Sequence, residues 1–149
     1  MPDASTTSPA PIDNAPATPI KITPTAGRVE SVDGEQMVLR LPGTDYRLHL
    51  KRPIGDVPTP GAKLTGWIEL DALRVDAIPA GGTYIEPVFG RPRRLQGRVL
   101  GSQGDRLQVR CGPAAFSCRL TDARQRADEF PVGVLVSFDA APGARLTTA

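Results

Sequence analysis

From about residue 26 onward, apolar and polar residues alternate in short runs, the period of half-buried β-strands rather than of helices. Residues 26–32 and 36–41 flank Asp33-Gly34, a strong hairpin signal. Pro42-Gly43-Thr44 makes the next turn, and residues 45–50 return with Tyr46, Leu48 and Leu50 on one face. Residues 51–61 carry Pro53, Pro58 and Pro60 and break the pattern. Residues 63–70 and 73–77 then complete five predicted strands.

The same pattern is written a second time. Gly27-Arg28-Val29 recurs as Gly97-Arg98-Val99, and at the same offset Leu39 falls on Val109, Leu41 on Cys111, Tyr46 on Phe116 and Leu50 on Leu120. Strands are predicted at 95–100, 106–111, 116–120, 134–138 and 144–148, with Gly104-Asp105 at the hairpin turn. The fold class expected is all-β: two tandem, duplicated small five-stranded barrels packed together. An OB-like barrel fits this order, with an SH3-like one as the alternative. Each unit is little over 50 residues and marginal alone, which is why the two are expected to pack together.

The boundaries follow from composition. Residues 1–20, rich in Pro, Ala, Ser and Thr, are expected to be a disordered tail. Residues 26–78 form the first unit, 79–94 an ordered extended strap and 95–149 the second unit. The strap is too apolar for a flexible linker, with Tyr84, Ile85, Val88 and Phe89, and Pro87 and Pro92 favour an extended course. The second unit has an insertion at 121–130 whose Thr or Asp cap and good helix formers predict one to two helical turns before Pro131. Past that insertion the offset becomes about 72. This sets Trp67 opposite Asp139 on the outer face of its strand, whereas a register one residue different would bury it beside Phe138.

Chemistry is sparse. Two cysteines and one histidine cannot form a four-ligand structural zinc site without a carboxylate. Cys111 and Cys118 match Leu41 and Leu48, which favours two buried thiols over a disulfide. His49 lies between Leu48 and Leu50 and matches Arg119, a polar surface position. No nucleophile elbow and no phosphate loop occur, and the aspartates cluster in turns. Neither catalytic residues nor a cofactor is expected, and the protein is read as a non-enzyme.

Charge changes the picture only locally. The chain has 18 Lys and Arg against 16 Asp and Glu. Residues 1–78 hold 8 against 10 and residues 79–149 hold 10 against 6, so the halves are −2 and +4. The densest basic cluster is Arg91, Arg93, Arg94 and Arg98, with Tyr84 and Phe89 near it in sequence. Arginine on phosphate combined with stacking aromatics suits weak, salt-sensitive binding of single-stranded nucleic acid. The competing expectation is a protein-interaction module using Trp67 and the strap. Arg94-x-x-x-Arg98 resembles the first half of the signature of the PilZ family. Its second half, Asp/Asn-x-Ser-x-x-Gly, has no counterpart in Asp122–Ala127, which sets that family aside. No apolar run is long enough to span a membrane, and a cytoplasmic location is expected.

Overall fold

A computed structural model of the protein describes residues 24–148, and the expected tail lies outside them. The structure is all-β, and its strands form one mixed sheet. In chain order they are β1 (Thr25–Asp33), β2 (Gln36–Arg40), β3 (Arg47–Lys51), β4 (Lys63–Ala77), β5 (Tyr84–Glu86) and β6 (Phe89–Gly90). The second half supplies β7 (Arg94–Gln103), β8 (Arg106–Cys111), β9 (Ala114–Leu120), β10 (Leu135–Ala140) and β11 (Arg145–Thr148).

The expectation of separate strands at 63–70 and 73–77 is corrected: β4 is one strand of 15 residues. No Gly or Pro interrupts Asp71-Ala72, so nothing turns the chain there. Gly66, Ile68, Leu70 and Ala72 face inward, and then the phase changes so that Val75 is buried. A bulge against β10, which advances from Phe138 to Ala140 while β4 advances from Val75 to Ala72, accounts for the change.

This long strand uses both its edges. On one, Lys63–Gly66 pairs with β1 and Ile68–Ala72 runs parallel to β9. On the other, Gly66–Glu69 pairs with β11 and Ala72–Ala77 with β10. The pairing path β1-β2-β3-β11-β4 therefore returns to β1, and β7-β8-β9-β4-β10 returns to β7. Each circuit takes one strand from the other half of the chain. Leu39, Leu48 and Leu146 pack in the same apolar cluster as Val109, Phe116 and Phe138.

Local geometry recurs in the two halves. Both first hairpins have a register shift at one place, Val29/Ser31 and Val99/Gly101. Gly34 and Gly104 both turn at φ 62, and Gly61 and Gly133 at φ 91. Arg28 donates to the Gly61 carbonyl at 2.8 Å and Arg98 to that of Gly133 at 3.1 Å.

The predicted helix at 121–130 is also corrected, to a single 3-10 turn at Ala127–Glu129. Asp122 Oδ1 accepts from the Arg124 N–H at 2.9 Å, closing a tight turn in place of a helical one. Gln125 meanwhile turns to β4, its Oε1 accepting from the Val75 N–H at 2.9 Å and its Nε2 donating to the Val75 carbonyl. Such side-chain bonds to backbone compete with the helical ladder, and here they prevail.

Cys111 and Cys118 are free and buried. They stand opposite Ala114 and Leu107, not opposite each other, and burial pushes both thiols well above their ordinary range. Since the thiolate is the reactive form, neither is expected to react with an aromatic disulfide reagent in the native protein. Both should react in denaturant. Rapid native labelling would show that β8 and β9 open readily.

Candidate functional site

The basic residues at 91–98 are divided among different tasks. By strand alternation Arg94, Gln96 and Arg98 share one face of β7. Arg94 Nη1 donates to Asp139 Oδ1 at 2.9 Å, and this hydrogen bond, aided by Tyr84, holds the guanidinium above its usual pKa. Arg98 is bound to the Gly133 carbonyl, as Arg28 is to Gly61. Arg93 is exposed, and its backbone N–H donates to the Glu86 carbonyl at 2.8 Å. Tyr84 bonds Gln96 Oε1 at 3.2 Å, and Gln96 in turn donates to the Gly82 carbonyl at 2.8 Å, which fixes the strap to β7. Trp67 is half-buried on the outer face of β4, opposite Thr147. Among the described residues no strand pairing links β4 to the strap.

The strap's other end makes a different neighbourhood. Phe89-Gly90 pairs in parallel with Arg47-Leu48, and the Arg47 N–H donates to the Val88 carbonyl at 2.8 Å. In β3 the alternation sends Leu48 and Leu50 into the core and leaves Arg47, His49 and Lys51 on the outer face. There Phe89 remains 55% exposed, with the His49 ring edge-on to its ring at 5.1 Å and the Arg47 guanidinium 5.6 Å from the ring centroid. The latter distance is within cation–π reach.

Arg47 and His49 also hold side-chain nitrogens without a hydrogen-bond partner. Among the described residues six buried side-chain polar atoms lack a partner, and three of them are Arg47 Nε, His49 Nε2 and Arg91 Nη1. Arg47 and His49 touch Phe89, and Arg91 is two residues beyond it. Arg47 Nε is 3.2 Å from Glu30 Oε2, close enough to attract but not aligned as a hydrogen bond. Arg47 Nε and Arg91 Nη1 are donors open to an acceptor, and His49 Nε2 can pair with either a donor or an acceptor. Charge adds to the case: Arg28, Arg40 and Arg47 lie in one cross-strand row. Like charges side by side weaken a sheet. Glu30 offsets only part of this.

Sequence reasoning named Phe89 and Arg91 but missed Arg40, Arg47 and His49 as partners. Alternation had set only His49 on the outer face. What it lacked was the parallel pairing of strap with β3, which joins residues more than 40 positions apart. Among the described residues no group of three His, Cys, Asp or Glu could hold a metal ion. No family model, curated protein or solved structure matches this chain.

Proposed function

We propose that this protein is a non-enzymatic binding module that takes single-stranded nucleic acid on the outer face of β2 and β3. We read the two pairing circuits as OB-type barrels of a duplicated unit, the first completed by β11 and the second by β4. In such barrels the face of the second and third strands is where oligonucleotides bind. That analogy alone gives no function. The observation that carries the reading is the exposed Phe89 with the Arg47 guanidinium and the His49 ring against it, each with a buried nitrogen that has no partner among the described residues. Phosphate oxygens supply acceptors and charge, and a base supplies a face for Phe89. Arg40 and Lys51 extend the basic surface. Two unpaired thiols suit a reducing compartment such as the cytoplasm.

A second reading, docking of a protein partner, draws support from Val88, which is exposed beside Phe89. Apolar docking differs in being little affected by salt. Fluorescence anisotropy with a labelled oligonucleotide separates the two. Binding is expected to weaken steeply between low and moderate salt. Phe89→Ala and Arg47→Ala should each weaken it about tenfold, the scale of one stacked base or one lost phosphate contact. Arg94→Ala, whose side chain is occupied by Asp139, should change it little. Absence of binding at low salt would overturn the nucleic-acid reading.

A further inference from the structure

We infer that the proposed nucleic-acid site continues into a cleft at the far end of β3, where β11 forms one wall and a further nucleoside of the same strand is received. The inference rests on the reading above and extends it from a patch to a path. The cleft measures about 550 Å³. That is within the range of about 300–1,000 Å³ usual for small-molecule sites, so it has room for a base with its sugar.

Its shape follows from the pairing. β11 meets β3 through a single parallel bridge, Arg145 beside Lys51, and then stays with β4 through Thr148. The two strands part, and the segment Arg52–Gly55 closes the opposite side. That segment is held in place. Arg52 Nε donates to the Gly34 carbonyl at 2.9 Å, Nη1 donates to that of Pro53 at 3.2 Å, and the backbone N–H donates to Glu35 at 2.8 Å. A wall fixed in this way loses little freedom when a ligand enters.

The lining suits a nucleoside. Ile54 is wholly exposed and offers an apolar surface for a base. Thr147 and Thr148 offer hydroxyls that both donate and accept. Lys51, Arg52 and Arg145 face one acid, Glu35, so the lining is net positive. Arg145 is drawn to Glu69 at 3.0 Å, and Lys51 is the exposed cation of the lining that also lies on the outer face of β3.

Lys51 also ends the row Arg47, His49, Lys51, so cleft and face share a residue. From Arg47 to Lys51 is four strand steps, roughly 13 Å at about 3.3 Å each. A stacked strand advances roughly 3.4 Å per nucleotide, so about four nucleotides cover β3 and longer ones reach the cleft.

The test compares labelled oligodeoxyadenylates of four and eight nucleotides on the full chain at low salt. Wild type should bind the longer about tenfold more tightly. In Ile54→Glu, which alters a wholly exposed side chain and puts a negative charge in the cleft, that ratio should fall to about one. Equal affinity of wild type for both lengths, or an unchanged ratio in Ile54→Glu, would overturn the cleft inference while leaving the Phe89 face standing. Failure of wild type to bind either oligonucleotide would overturn both.

Discussion

Gly97→Ala and Gly66→Ala are each expected to lower the melting temperature by roughly 10 °C, more than any surface substitution. A Cβ built on Gly97 would be 2.1 Å from the Arg110 carbonyl oxygen, and one on Gly66 would be 2.2 Å from that of Thr147. Both obstacles are backbone, so no rotamer change relieves them and the neighbouring strand must move. Overpacking of that kind costs about 3 kcal/mol, and for a chain of this size each kcal/mol shifts the transition by roughly 3–4 °C. Gly27→Ala is the informative comparison. Its Cβ would meet the Leu39 side chain, 2.5 Å from Cγ, which can partly yield. Its loss should be smaller. Thermal denaturation followed by circular dichroism ranks the three, and a Gly97→Ala protein melting within a degree or two of wild type would refute the close approach of β7 and β8.

Ending the chain at Ala141, before β11, is expected to unfold the first half of the molecule as well as the end that is cut. Leu146 is only 2% exposed, and Gly66–Glu69 would lose its partner strand on that edge. Losing one buried leucine side chain alone costs about 2–5 kcal/mol. Adding the unpaired strand edge brings the loss near the whole stability of an ordinary domain, about 5–15 kcal/mol. The signal lies far from the cut: amide resonances of Val29, Leu39 and Leu48 should collapse toward random-coil positions. If they keep their native dispersion, the first circuit does not depend on β11.

How far the sequence revealed this arrangement depends on how local each feature is. The hairpins β1–β2 and β7–β8 were legible because Asp33-Gly34 and Gly104-Asp105 sit between alternating runs, and a hairpin is decided by its neighbours in the chain. Inward Leu48 and Leu50 and outward His49 followed from the same period. The continuity of β4 was not legible, since Asp71-Ala72 reads equally as a tight connection or as strand. Only its partners on both edges decide. The insertion misled because helix formers describe intrinsic preference, whereas Gln125 is held by the backbone of Val75, 50 residues away. The candidate site was half visible. Phe89 and Arg91 stood out as an aromatic in a basic stretch, but Arg47 and His49 meet Phe89 only through a two-residue parallel contact that leaves no mark in either segment.

The most direct test of the account is chemical-shift mapping on the labelled full chain with an unlabelled eight-nucleotide single strand at low salt. Shifts are expected at Arg47, His49 and Lys51 of β3 and at Phe89 and Arg91 of the strap, with Arg119 of β9 and its ion-pair partner Asp71 unmoved. An unchanged spectrum, or shifts centred on Arg94 and Arg98 with Phe89 silent, would contradict it.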